Sequence, residues 1–175
     1  LELQKNHGIL SVALETMQHG VSLFNEDLEL VLCNDRYLDL LDFPKEMGAP
    51  GTPFEAFLRY NAERGEYGPG DVEDLIDERI KLAQKFDEHK FERTRANGVT
   101  LEIEARHAPG VGFITTYSDI TDRIRAEKEV RESEQLLREV VDTLPFAFSL
   151  WDNKGTRILG NFIWKRWYPE HQDMM

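Results

Sequence analysis

Hydrophobic and polar positions change period several times along the chain, and each change marks an element. From Leu3 to Met17 the spacing is helical, with Leu10, Ala13, Leu14 and Met17 on one face and Gly20 as the stop. Val21–Phe24 and Leu30–Cys33 are short apolar runs around Asn25, Glu26 and Asp27, which predicts a hairpin. Both runs are apolar on both faces, so their sheet needs cover on its back, and the entry helix is the nearest candidate. Asn34 and Asp35 suit the cap of a short helix bearing Tyr37, Leu38, Leu40 and Leu41, halted by Pro44. Thr52-Pro53-Phe54-Glu55 reads as a helix start, with Thr as N-cap, Pro at the first position and Glu three after the cap. That helix carries Phe54, Phe57, Leu58 and Tyr60, and a charged, glycine-rich loop follows from Asn61 to Gly70. Asp71 caps a longer helix with Val72, Leu75, Ile76, Ile80, Ala83 and Phe86 on its buried side. His89–Arg95 and Val99–His107 alternate around Ala96-Asn97-Gly98, and Pro109-Gly110 turns the chain into Gly112–Tyr117. Two strands, several short helices and three antiparallel strands predict an α+β sheet with helices on one face, able to enclose a small cavity.

Beyond Tyr117 the pattern becomes sparse. Asp119-Ile120-Thr121 opens a polar run in which Ala126, Val130, Ser133, Leu137, Val140 and Leu144 step by four and three, the spacing of an a/d seam. Asp119 and Asp122 suit a helix N-terminus. So narrow a seam builds no globular core; it predicts a connecting rod paired with its twin in a second chain. The alternative is a surface helix packed on its own domain. An ungapped internal repeat shows what the rod connects. At an offset of 143 − 16 = 127, Thr16 meets Thr143, Leu10 Leu137, Ser22 Ser149, Leu23 Leu150, Leu32 Leu159 and Asn34 Asn161. Ile9 and Leu136, Met17 and Leu144, Phe24 and Trp151, Val31 and Ile158, and Tyr37 and Trp164 agree in character. The rod is therefore expected to leave one domain and to enter a second of the same kind. The sequence starts at Leu1, and the second copy stops after its opening elements, so a piece of a longer chain is expected.

Composition narrows the function. A net charge of −12 opposes a phosphate backbone or an anionic membrane, so neither nucleic acid nor direct membrane contact is expected. Spans of about 20 apolar residues and a signal peptide are both missing from the sequence. The single cysteine, Cys33, allows no internal disulfide and suits a reducing, cytoplasmic setting. No His, Cys, Asp or Glu grouping has metal-site spacing, and no nucleophile–base pair is evident, so neither a metal nor catalysis by this fragment is expected.

The order of elements, the Asp119-Ile120-Thr121 exit and Asn34 after the second strand together resemble the PAS sensory-domain family over residues 9–121, and again from residue 136 onward. Arg59–Gly70 resembles one bacterial subgroup often found in sensor histidine kinases. The resemblance implies a five-stranded antiparallel sheet of order 2-1-5-4-3 with flanking amphipathic and coiled-coil helices, and a sensing role. It divides the chain into an N-terminal helix (1–18), a PAS domain (19–119), a linker helix (120–145) and the start of a second PAS domain (146–175). Flavin-photosensing relatives place a reactive Cys in the helix opened here by Thr52, whereas Cys33 lies at a strand end. Haem-binding relatives use a His on the helix Asp71–Phe86, which has none. Neither flavin nor haem is therefore expected.

Phe57, Tyr60, Arg64, Phe91, Arg93 and His107 are the candidates for lining a ligand cavity. Arginines there suit a carboxylate or phosphate, aromatic rings suit stacking, and His107 shares a strand face with Leu101, Ile103 and Ala105. The plainer readings are surface ion pairs for the arginines, core packing for the rings and a hydrogen-bonded core histidine. Asp119, Ile120 and Thr121 are the candidate relay. The expected function is a sensory and dimerisation module of a bacterial signalling protein, a homodimer with a possible small-molecule ligand. It would act on a downstream effector in the same parent chain, foremost a histidine kinase and otherwise a cyclic-dinucleotide enzyme. The rival is a ligand-free structural spacer, its cavity filled by side chains.

Overall fold

In a computed structural model, residues 12–85 and 88–168 are described, and they form two compact units, Leu1–Asp122 and Arg123–Met175. In the first unit the strands β1 (Gly20–Phe24), β2 (Leu30–Cys33), β3 (His89–Thr94), β4 (Thr100–Ala108) and β5 (Gly112–Asp119) form one sheet of order β2-β1-β5-β4-β3, every pair antiparallel. The helices α1 (Asp35–Leu41), α2 (Phe54–Glu63) and α3 (Val72–Ala83) fill the interval between β2 and β3.

Alternation decides which side of the sheet is packed. Phe24, Leu101, Ile103 and Phe113 share a core with Tyr37, Leu40, Leu41, Phe43 and Phe57 from α1, α2 and the chain between them. Phe24 stacks on Phe113 at 5.3 Å and meets Phe54 and Phe57 edge-on at 4.9 and 5.6 Å. A smaller cluster of Leu58, Ala62 and Ile76 joins α2 to α3. The turn into β5 depends on Gly112, whose φ is +136°. A Cβ there would stand 1.8 Å from the Phe24 carbonyl oxygen, so only glycine lets β5 close on β1.

Three capping expectations divide. Asn34 caps α1 and Asp71 caps α3, each side chain accepting from amides of the first turn. Thr52 does not cap α2. The segment around it is tied to β2 instead, with Leu30 N donating to Thr52 O and Phe54 N to Leu28 O. The Thr52 hydroxyl turns back to Ala49 O at 2.7 Å, and Pro53, extended, precedes the helix. Pairing with β2 fixes the backbone here and overrides the local capping signal.

In the second unit, β6 (Ser149–Trp151) and β7 (Arg157–Gly160) form a hairpin, followed by α5 (Phe162–Trp167). The helix α4 (Thr121–Asp142) begins on the last two residues of the first unit and otherwise belongs to the second. Its apolar residues Val130, Leu136, Leu137 and Val140 are more than half exposed, and only Val141 is buried. The helix ends at Asp142, so the seam closes at Val140 and Leu144 lies outside it. Most of the proposed entry helix and Phe86 lie outside the described residues; residues 12–15 are helical.

Candidate functional site

The interior of the first unit is built from rings. Tyr37 lies 5.5 Å from Phe43, 5.8 Å from Phe57 and 5.1 Å from Tyr117, and Phe43 lies 5.0 Å from Phe57. These side chains occupy the space between sheet and helices. Along β5, Phe113, Thr115 and Tyr117 alternate inward, and the fully buried Ser22 of β1 pairs in register with Thr115. Burial pushes the Tyr37 hydroxyl well above the ordinary tyrosine range, aided by the neighbouring Tyr117. Burial raises Tyr117 to about 12, although nearby Ser22 and the Arg93 cation pull the other way. Among the described residues, Ser22 Oγ and Arg93 Nε are buried with no hydrogen-bond partner.

The expected ligand residues separate into three groups. Phe57, Tyr60 and Arg64 come together: the Arg64 guanidinium stands 4.3 Å from the Tyr60 ring centroid, and Phe43 bridges Tyr60 to the buried Phe57. Arg64 is already engaged, donating to Leu41 O, Asp42 O and Asn61 Oδ1 at 2.9–3.2 Å, so it braces the end of α1. Arg93 faces inward near the Tyr67 ring, 5.5 Å from its centroid. Phe91 and His107 have the predicted parity but are exposed. Phe91 lies on the edge strand and stacks on His89 at 5.6 Å, and His107 lies near the end of β4, past the cover that buries Leu101, Ile103 and Ala105.

Arg95 has a different surrounding. It is 4% exposed, pairs with Glu66 at 2.7 Å and Asp42 at 2.9 Å, and donates to Leu40 O and Leu41 O. Burial works against its charge, but the bonds to Glu66 and Asp42 overcome that and raise its pKa. Arg59 makes exposed ion pairs with Glu55 and Glu73. Both arginines are held in ion pairs, Arg95 buried and Arg59 exposed. The inward hydroxyls of Ser22, Tyr37 and Tyr117 were not singled out from the sequence, although the Phe113/Thr115/Tyr117 alternation was the signal for part of that set.

At the exit, β5 passes directly into α4. Asp119 Oδ1 accepts from Thr121 N at 2.9 Å and from the Thr121 hydroxyl at 2.6 Å. The same hydroxyl oxygen accepts from Thr100 N at 2.9 Å, and Ile120 N donates to Thr100 O. Ile120 is buried. All three candidate relay residues thus pin the start of α4 to the start of β4. A surface hollow lined by Gln18, His19, Arg36 and Asp119 lies beside them, where Ser118 Oγ meets His19 Nδ1 at 2.9 Å. Entry and exit of the first unit are therefore neighbours.

A family model described as PAS fold matches residues 14–128. The chain belongs to the PAS family. Its PAS domain carries the sheet order expected from the resemblance, and PAS domains are sensory modules. Similar solved structures include the PAS domain of BvgS from Bordetella pertussis, at 16% identity over 75% of this chain and 98% of that one, with a TM-score of 0.47. The PAS domain of an HTR-like protein from Haloarcula marismortui aligns at 16% identity over 68% and 95%, TM-score 0.43. A domain of a sensory box sensor histidine kinase/response regulator from Geobacter sulfurreducens aligns at 14% over 67% and 96%, TM-score 0.43. No curated protein gives a significant match. Among the described residues no helix is long and apolar enough to cross a membrane, and no group of three or more His, Cys, Asp or Glu is placed to hold a metal.

Proposed function

We propose that this chain is a cytoplasmic sensory and dimerisation module of a bacterial signal-transduction protein, acting through α4 on an effector downstream, most plainly a histidine kinase. The observation that carries this reading is the junction at Asp119, Ile120 and Thr121. Helix α4 is hydrogen-bonded to the first residue of β4 without an intervening loop, so a displacement of the central strands must displace the start of the helix. Beyond the junction, Val130, Leu137 and Val140 present an apolar stripe on an otherwise charged helix, which suits a parallel partner helix. A signal then acts by favouring one arrangement of the paired helices over another.

Native mass spectrometry of the freshly purified chain tests both parts, since it reports subunit number and retained small molecules together. A dimer that becomes monomeric with Val130→Glu/Leu137→Glu supports the helix pairing; a wild-type monomer overturns it. A second reading, a ligand-free spacer that holds chains in register, is favoured by the ring cluster occupying the interior. It predicts a melting temperature indifferent to a metabolite panel, whereas a reproducible ligand-induced rise selects the sensor.

A further inference from the structure

The 127-residue offset reappears in the hydrogen bonds. Asn34 Oδ1 accepts from Val21 N and Tyr37 N at 2.9 and 3.0 Å, and its Nδ2 donates to His19 O at 2.9 Å. Asn161 Oδ1 accepts from Phe148 N and Trp164 N at 3.0 and 2.9 Å, and its Nδ2 donates to Phe146 O at 2.7 Å. Asn34 Nδ2 also donates to Leu14 O at 2.9 Å; the other three partners are displaced by the same 127 residues. So is the carboxylate before the hairpin: Glu15 accepts from Asp35 N, the first amide of α1, and Asp142 accepts from Phe162 N, the first amide of α5. The turn follows suit, with Asn25 Oδ1 accepting from Asp27 N and Glu29 N, and Asp152 Oδ1 from Lys154 N and Thr156 N. Leu28 and Gly155 both take positive φ, and both hairpins shift register at the third strand pair.

An ordinary hairpin explains the turn but not the rest. An asparagine that caps the following helix has no need to accept from the first strand as well and to donate to the residue before it. Nor does a cap require a carboxylate, 19 residues earlier, to bond the next amide. We infer that residues 142–168 are the opening module of a second PAS domain, with Asn161 as its central lock, and that α4 is both the exit helix of the first domain and the entry helix of the second. The first recipient of a displacement of α4 is then this hairpin, through Asp142 and Asn161. The inference does not rest on ligand sensing or on dimerisation, and it stands if the chain is monomeric and binds nothing.

Asn161→Ser and Asn34→Ser in the otherwise unchanged chain give the test, read by amide hydrogen exchange. Serine keeps a helix cap but cannot span strand, helix and preceding loop together. Exchange of Phe148 N–H is expected to accelerate at least about tenfold while Trp164 N–H changes much less, with the same split between Val21 and Tyr37 in the Asn34 variant. Unchanged exchange at Phe148, or equal acceleration at Phe148 and Trp164, reduces Asn161 to a cap and overturns the proposal. A graft of residues 147–168 in place of 20–41, with Trp151→Phe and Arg157→Leu to suit the buried sites of Phe24 and Leu30, tests interchangeability. Protected amides along β5 in the graft support the inference. Their loss counts against it, unless the serine variants show the same split in both hairpins, which assigns the failure to packing.

Discussion

Phe24 and Trp151 stand at matching positions of two hairpins with the same register, yet Phe24 is fully buried and Trp151 is 41% exposed. Leu40, in α1, is 7% exposed, while its counterpart Trp167 is 67% exposed. The difference lies in what covers them. Phe24 is enclosed by Phe54 and Phe57 of α2 and Phe113 of β5, whereas among the described residues Trp151 meets one ring, Trp164, at 6.0 Å. Trp164 is itself buried, because the Arg157 guanidinium lies 4.7 Å from its ring centroid and Tyr168 packs on it. Backbone geometry in both hairpins is set by local polar locks, while burial is set by segments distant in the chain.

The widest gap between the two hairpins is expected on truncating the matched rings. Phe24→Ala removes a ring at the centre of the core and is expected to cost about 3–5 kcal/mol, read by urea unfolding of the sheet. Trp151→Ala at the exposed site is expected to cost about 1 kcal/mol or less. Equal losses would refute the view that coverage distinguishes the hairpins. Next in size is the tether at the end of α1. Arg95→Met leaves the Glu66 carboxylate, whose side chain is 7% exposed, buried without its cation, and deprives the Leu40 and Leu41 carbonyls of a donor. The expected loss is about 3 kcal/mol, partly restored by adding Glu66→Leu.

How much of this was legible follows the same division. The five strands, the Asn34 and Asp71 caps, the Asn97-Gly98 turn and the turn from strand to helix at Asp119 were readable because each is encoded within a few residues. Thr52 misled because its backbone is committed to β2, a pairing that capping chemistry does not encode. Phe91 and His107 had the right parity, but parity says which way a side chain faces and not whether anything lies opposite it. Arg95 takes Glu66 from 29 residues away, so the sequence offered a pair of alternating arginines and no means of telling the buried clamp from the inward Arg93. The interior hydroxyls were hidden because Ser22 and Tyr37 meet Tyr117 only when the sheet closes.

Alkaline titration probes that closed interior. The Tyr117 hydroxyl is protonated in the folded state up to about 12, and Tyr37 is held well above its ordinary value, both by burial. An unfolded tyrosine releases its proton near 10, so above that pH the unfolded state binds fewer protons than the folded one. Stability is therefore expected to be unaffected by these groups below pH about 10 and to fall as pH rises from about 10 toward 12. Tyr117→Phe should flatten that fall, measured by melting temperature against pH. The second unit has no described tyrosine in its sheet, so the tryptophan emission it reports should respond less over the same range.

The smallest effect concerns Cys33, the residue beside the first lock. Burial, then the charges of Glu15 and Asp35, raise its thiol from about 9 to about 11. The thiolate is the reactive form, so at neutral pH the population available to an alkylating reagent is roughly 100-fold below that of an unshifted thiol. Alkylation by iodoacetamide should therefore be slow in the folded chain and accelerate on unfolding in urea. Glu15→Gln keeps an acceptor for the Asp35 amide but removes a negative charge, so it should raise the folded rate by severalfold without lowering the melting temperature. If the rate rises only together with a lower melting temperature, Glu15 acts by holding the helix start closed and not through its field. Asp142 would then be expected to hold α5 in the same way, and charge would be incidental to both clasps.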